Sequence, residues 1–275
     1  MPELPEVETS RRTLEHLVIG KEIKEVTVHW PKIIKKPVEH EQFSDALKGQ
    51  IIEAVGRRGK FLLFYLTDLV MVSHLRMEGK YGLFPSEEPV ENHTHVIFTF
   101  TDGTELRYKD VRKFGTMHLF AKGDELNQLP LKKLGPEPLD DEFSETYLKA
   151  ALAKTTRKIK AALLDQTIVV GVGNIYVDEV LFRAHIHPER IASSLNDQEL
   201  EVLVKEIKAT LGEAIKQGGS TIRSYINSQG QIGTFQIQLM VYGRNGEACK
   251  ECGTDLEKIK VGGRGTHLCP TCQKL

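Results

Sequence analysis

The sequence predicts an α+β chain built from an N-terminal β-sandwich, a helical domain and a C-terminal zinc finger. Three observations carry that prediction. The first half consists of short β-branched and aromatic runs separated by turn signals, the second half turns to apolar residues at three-to-four spacing, and all four cysteines lie in the last 27 of 275 residues.

The elements follow in chain order. A helix opens the chain: Pro5 suits its first turn, Glu6 and Glu8 complement the positive end of its dipole, and Gly20 closes it. Strands are predicted at Ile23 to Trp30, Gln50 to Val55, Phe61 to Leu66, Leu69 to Ser73, His95 to Phe100, Glu105 to Tyr108 and Thr116 to Phe120, with turns such as Thr67-Asp68 and Asp102-Gly103 between them. Pro130, Gly135, Pro136 and Pro138 mark a linker. Helices are predicted at Phe143 to Ala153, Lys158 to Gln166, Ile175 to Ala184 and Asp197 to Lys216, the last ended by Gly218-Gly219. The expected organisation is a β domain over 1–130, a linker over 131–140, a helical domain over 141–235 that includes a loop at 218–235, and the finger over 236–275.

Cys249, Cys252, Cys269 and Cys272 form two C-x2-C pairs separated by sixteen residues. That spacing lets one tetrahedral Zn²⁺ take all four thiolates, and four protein ligands leave no open position for substrate. The expected cofactor is therefore one structural zinc, with no catalytic metal and no organic cofactor. Cysteines paired by chance in a loop-rich tail are the competing reading.

With 37 Lys+Arg against 38 Asp+Glu the net charge is −1, which excludes a globally basic protein. Any nucleic-acid surface must then gather its positive charge locally. Basic residues do cluster at Arg57, Arg58 and Lys60, at Arg107, Lys109, Arg112 and Lys113, and at Lys154, Arg157, Lys158 and Lys160, while acids collect over 137–145 and 197–206. This segregation fits a phosphate-tracking groove, although charge clusters are also the ordinary state of a solvated surface. The apolar stretch Gln166 to Val177 is interrupted by two glycines and an asparagine and is too short to span a bilayer. The acidic, proline-broken N-terminus is unlike a signal peptide, so the expected location is the cytoplasm. Gly171-Val172-Gly173-Asn174 precedes a helix and reads either as an anion site at a helix N-terminus or as a tight turn between packed helices.

Several motifs together resemble the bacterial formamidopyrimidine-DNA glycosylase family. They are Pro2-Glu3-Leu4-Pro5-Glu6-Val7-Glu8, Arg58-Gly59-Lys60, His74-Leu75-Arg76-Met77, Asp110-Val111-Arg112-Lys113-Phe114-Gly115, residues 171–179, and Gly263-Arg264-Gly265-Thr266 before Cys269. They occur in order from residue 2 to residue 273. Thr155-Thr156 depart from the pattern where relatives tend to carry another basic residue. The resemblance implies a β-sandwich, a helix–two-turn–helix domain and a zinc finger. It also implies a bifunctional base-excision enzyme that removes 8-oxoguanine and formamidopyrimidines and then nicks the strand by β,δ-elimination. The related endonuclease VIII branch, which prefers oxidised pyrimidines, usually lacks the Leu4 and Val7 context.

The chemistry is consistent with these residue types. Once Met1 is removed, Pro2 carries a secondary amine; a terminal amine is roughly a tenth neutral at pH 7, against about four in ten thousand for a lysine. Such an amine can attack a sugar C1′ and form an iminium. Without the resemblance, Pro2 reads as an ordinary terminus. Glu3 is placed to move a proton, with Glu6 in support; otherwise both carboxylates merely complement a helix dipole. Lys60 and Arg264 are expected at the phosphates flanking the lesion. His74, His93, Lys160 and Asn174 are implied phosphate contacts, while Met77, Arg112 and Phe114 are implied to fill the hole left by a flipped nucleotide. Met77 and Phe114 would otherwise be read as core. Lesion recognition is expected from Glu78 and from Ser220, Thr221, Ile222, Arg223, Ser224 and Tyr225. The expected partner is duplex DNA with 8-oxoguanine opposite cytosine, bound by a monomer without a membrane. A non-enzymatic zinc-finger DNA binder would account for the cysteines and the basic clusters but needs no Pro-Glu terminus.

Overall fold

In the computed structural model, residues 1–220 and 238–275 are described. The chain forms two compact units, Met1–Lys133 with the segment starting at Gly218, and Leu134–Gln217 with the segment ending at Leu275.

The first unit opens with α1 (Leu4–Val18), which starts one residue before Pro5 because Glu3 serves as N-cap and forms a capping box with Glu6. It continues through β1 (Ile23–Val28), β2 (Ile34–Lys36), α2 (His40–Leu47), β3 (Ile52–Arg58), β4 (Phe61–Leu66), β5 (Leu69–His74), β6 (Lys80–Pro85), β7 (Thr94–Phe100), β8 (Thr104–Lys109) and β9 (Thr116–Ala121). Two sheets result. One has the order β1-β7-β8-β6 and is antiparallel throughout; the other has the order β2-β9-β5-β4-β3, with only β2 and β9 parallel. Their inner faces share one core, in which Phe64, Met71, Val96, Phe98, Leu106, Tyr108 and Met117 pack with Val7, Leu14 and Val18 of α1 and Phe43 and Leu47 of α2.

The sequence reading missed α2, β2 and β6. α2 buries only Phe43 and Leu47, one helical turn apart, so its apolar pattern is too sparse to register. β6 contains Gly82 and ends at Pro85, residues that argue against a central strand. It lies at a sheet edge, where both are tolerated.

The second unit contains α3 (Glu145–Leu152), α4 (Ile159–Leu163), α5 (Asn174–Arg183), α6 (Asp197–Lys216), β10 (Glu257–Val261) and β11 (Arg264–Leu268). Asn196 caps α6 in a second capping box with Glu199, and Leu200, Leu203, Val204, Ile207, Leu211 and Ala214 form its buried stripe. Phe182 of α5 packs with Val241, Leu256, Cys249 and Cys269, so helix and finger share one apolar cluster. That shared core explains why the finger belongs to the same compact unit as the helices although its sequence reads as a separate module. Among the described residues no helix is long and apolar enough to cross a membrane.

Candidate active site and metal centre

The N-terminal segment is buried: Pro2, Glu3 and Glu6 are all shielded from solvent. Glu6 connects two parts of the chain. Its Oε2 accepts the Glu3 N–H at 2.9 Å, and its Oε1 accepts the Ser220 N–H at 2.7 Å and the Ser220 hydroxyl at 3.1 Å. Gly219, at φ +82°, runs so close that a Cβ there would lie 2.7 Å from Glu6 Oε1. The glycine is thus required both by its backbone angle and by the carboxylate it faces. Glu6 does more than complement a dipole: it ties the start of α1 to Ser220.

Lys60 ends the turn into β4, beside Gly59 at φ +55°, and is 93% buried. His74 lies across from Phe61 in the β4–β5 register, with the two rings edge-on at 4.5 Å. Burial drives the His74 pKa down to about 3, reinforced by the positive charges of Arg76 and Lys60. Its Nδ1 accepts the Arg76 N–H at 2.9 Å. The ring is therefore neutral near pH 7 and carries its proton on Nε2, a hydrogen-bond donor suited to a phosphate oxygen. Met77 and Glu78 follow, half-buried, and His93 is exposed with φ +68°.

Between β8 and β9 the chain passes from one sheet to the other through residues 110–115. Val111, Arg112, Lys113 and Phe114 are exposed there, with the Arg112 guanidinium 5.0 Å from the centroid of the Phe114 ring. Phe114 is 51% exposed, so its alternative assignment to the core is set aside.

In the second unit β10 and β11 form a hairpin whose two-residue turn, Gly262-Gly263, has φ +56° and +79°. Positive φ at both positions is the requirement of a type I′ turn, and glycine meets it without strain. Arg264 leaves this turn exposed to solvent. Lys160, implied by the resemblance to contact a phosphate, is held here by partners within the protein. It is fully buried, its ammonium 2.7 Å from Asp178 Oδ1 and donating to the Gly265 carbonyl at 3.0 Å. Asn174, at the start of α5, donates to the same carbonyl at 3.0 Å, and Asp178 Oδ2 accepts the His267 N–H at 2.8 Å. Lys160 thus serves the hairpin from inside the fold. Glu179, whose burial raises its pKa, accepts N–H bonds from Met240, Val241 and Tyr242 and fixes the strand of chain leading to the finger.

The four cysteine sulfurs lie within 4.8 Å of one another, with Cys252 to Cys269 at 3.4 Å and Cys249 to Cys272 at 4.0 Å. Tetrahedral zinc at about 2.3 Å from each sulfur requires sulfurs about 3.8 Å apart, a value these distances bracket. The residues fit the ion.

The N-terminal domain model of formamidopyrimidine-DNA glycosylase matches residues 1–117, its H2TH domain model matches 134–226, and the model of the zinc finger found in FPG and IleRS matches 246–275. The chain belongs to the formamidopyrimidine-DNA glycosylase family. The Bacillus licheniformis formamidopyrimidine-DNA glycosylase is 64% identical over 274 residues, covering all of both chains, and that of Bacillus subtilis is 64% identical over 273 residues and 99% of both. A variant of Lactococcus lactis FPG in complex with Fapy-dG containing DNA superposes with a TM-score of 0.94 at 45% identity over all of both chains. Lactococcus lactis Fpg in complex with abasic site containing DNA gives 0.93 at 45% identity, covering 99% of this chain and 100% of that one.

Within this formamidopyrimidine-DNA glycosylase fold the first unit brings together Pro2, Glu3, Glu6 and Ser220, and separately Lys60 with His74. Thr221, Ile222, Arg223, Ser224 and Tyr225 lie outside the described residues. Sequence reasoning missed Asp110, Asp178 and Glu179 as organisers of loops. Asp110 carried a usable signal, since it stands in a motif of otherwise exposed residues, where a lone acid is an obvious acceptor for backbone N–H groups.

Proposed function

We propose that this chain is a bifunctional DNA glycosylase and AP lyase that removes oxidised purines, 8-oxoguanine and formamidopyrimidines, from duplex DNA as a monomer. The observation that carries the reading is the buried Pro2-Glu3-Glu6 terminus. A buried proline beside two carboxylates is an unusual way to begin a chain and a useful one for amine chemistry. While Met1 is attached, the Pro2 nitrogen is an amide and inert; removal of Met1 turns it into a secondary amine. The amine attacks C1′ of the damaged nucleotide, the bond from C1′ to the base breaks, and the base leaves with a proton that Glu3 is placed to supply. The C1′–O4′ bond then opens, O4′ taking the proton the amine gives up, and the iminium so formed acidifies C2′–H. Loss of that proton expels the 3′ phosphate, and a second elimination expels the 5′ phosphate.

Lys60 and Arg264 hold phosphates electrostatically in this scheme, and the guanidinium keeps its proton throughout. Neutral His74 donates Nε2–H to a backbone oxygen, His93 and Asn174 add further contacts, and Met77, Arg112 and Phe114 occupy the space of the extruded nucleotide, opposite cytosine. Glu78 and the segment from Ser220 to Tyr225 read the lesion in this scheme. Bound by Cys249, Cys252, Cys269 and Cys272, zinc supplies no chemistry but a fixed scaffold for the hairpin that presents Arg264. No other cofactor is required.

Borohydride reduction in the presence of an 8-oxoguanine:cytosine duplex tests the mechanism, since it should yield a covalent protein–DNA adduct. A protein retaining Met1 should give none. Faster excision of thymine glycol opposite adenine than of 8-oxoguanine opposite cytosine would instead place the chain with the oxidised-pyrimidine branch.

A further inference from the structure

We propose that Asp110 is the positioning residue of the loop that enters the duplex, holding that loop in its working shape before DNA arrives. The proposal rests on the reading of Arg112 and Phe114 as strand-penetrating residues. The loop it concerns is short and poorly supplied with contacts of its own. Four successive residues, Val111 to Phe114, are exposed, and two of them, Val111 at 52% and Phe114 at 51%, are apolar. A segment of that kind has little buried surface to order it and would sample many shapes unless its backbone were tied down.

Asp110 supplies the tie. It is fully buried and forms no ion pair among the described residues; its charge is met by main-chain dipoles. Oδ1 accepts the Arg112 N–H at 3.0 Å, while Oδ2 accepts the N–H groups of Phe114 at 2.9 Å and Gly115 at 2.8 Å, together with the Tyr108 hydroxyl at 3.4 Å. The backbone of Asp110 is fixed as well, its N–H donating to the His93 carbonyl at 3.0 Å and its carbonyl lying 2.8 Å from His95 Nε2. Tyr108 is clasped in turn, because a Cβ on Gly115 would fall 1.8 Å from its hydroxyl oxygen and one on Gly79 2.2 Å from it. On the outer side the Lys113 ammonium sits 4.1 Å from the centroid of the Trp30 ring. Both residues implied to penetrate the duplex therefore have their own N–H groups held by one carboxylate. A loop ordered in advance does not charge its ordering entropy to binding.

Asp110→Asn tests this with little change of shape. One of the two oxygens becomes an NH₂, which faces N–H donors and cannot accept from them, so either the Arg112 bond or the Phe114 and Gly115 pair is lost. Excision of 8-oxoguanine opposite cytosine should fall at least tenfold, and the preference for cytosine over adenine opposite the lesion should shrink at least threefold. Strand cleavage at an abasic site in a single-stranded oligonucleotide, which offers no partner base and no stack to enter, should stay within twofold. The double variant with Phe114→Ala should be no slower on duplex than Phe114→Ala alone. Tyr108→Phe, which removes only one bond to Oδ2, should lower the duplex-to-single-strand ratio in the same direction by a smaller factor, and it decides the matter if Asp110→Asn does not fold by circular dichroism. Equal loss on duplex and single strand in a folded variant would overturn the proposal, as would normal duplex excision by Asp110→Asn beside an impaired Phe114→Ala, or an unchanged ratio for Tyr108→Phe. If Phe114→Ala and Arg112→Ala both excise normally, the strand-penetrating reading itself falls, and the proposal with it.

Discussion

Two exposed cations of this protein are presented by opposite devices. Arg112 stands on a loop whose N–H groups converge on a buried carboxylate, Asp110. Arg264 stands on a hairpin whose Gly265 carbonyl is gripped by two donors, buried Lys160 and Asn174, and whose second strand leads into the Cys269 and Cys272 pair of the metal site. The first loop is held by an acceptor that belongs to its own sequence. The hairpin is held by donors 105 and 91 residues away and by the metal site. A loop organised by its neighbours in sequence survives loss of distant structure, whereas a hairpin organised from afar is only as stable as the elements that reach it.

This contrast can be broken most severely at the metal. Cys269→Ala, or extraction of the zinc, should release the hairpin, because a finger of this size buries too little apolar surface to fold alone and structural zinc contributes on the order of 10 kcal/mol. DNA binding and nicking should disappear together while the circular dichroism of the β-sandwich persists. Retention of normal nicking by the zinc-free protein would deny the hairpin's dependence on metal.

Removing Lys160 comes next. Lys160→Met leaves Asp178 buried without its cation, a change that costs about 3–5 kcal/mol, and thermal unfolding should report it. Pairing it with Asp178→Asn should recover part of the loss, since the uncompensated charge is then gone. A Lys160→Met protein of unchanged Tm but weakened DNA binding would instead return this lysine to the phosphates.

The loop of Arg112 should behave differently. Phe114→Ala removes a side chain that is half in solvent, so stability should change by only about 0.5 kcal/mol, while excision from duplex DNA should fall tenfold or more. A large drop in Tm would show that the side chain supports the fold rather than the site.

The remaining effect concerns pH. His74 is depressed to about 3 in the folded chain against an ordinary value near 6.5, so between those limits the unfolded state binds a proton that the folded state refuses. Its contribution is complete above about pH 6.5 and is lost as pH falls toward 3, at no more than about 1.4 kcal/mol per pH unit. Denaturant titrations of the wild type and His74→Gln at pH 7 and pH 5 should show a shallower decline for the variant. Parallel declines would mean that the histidine is protonated more easily than its surroundings imply.

How much of this was legible beforehand depended on the range of the forces involved. Most strands of the sandwich, though not β2 or β6, the twenty residues of α6 and the four zinc ligands are written in local pattern, since apolar periodicity, capping residues and C-x2-C spacing act over a few residues. What the sequence could not disclose is which polar group meets which. Lys160 looks from its neighbours like one more member of a basic cluster; only the packing of α4, α5 and β11 buries it against Asp178 and sets its ammonium on the Gly265 carbonyl. Glu6 looks like a first-turn acid until Gly219 and Ser220, more than two hundred residues on, are folded against it. Local chemistry therefore determined the elements and the metal site. The tertiary structure decided the destinations of the buried charges, because a charge leaves water only where distant parts of the chain bring it partners.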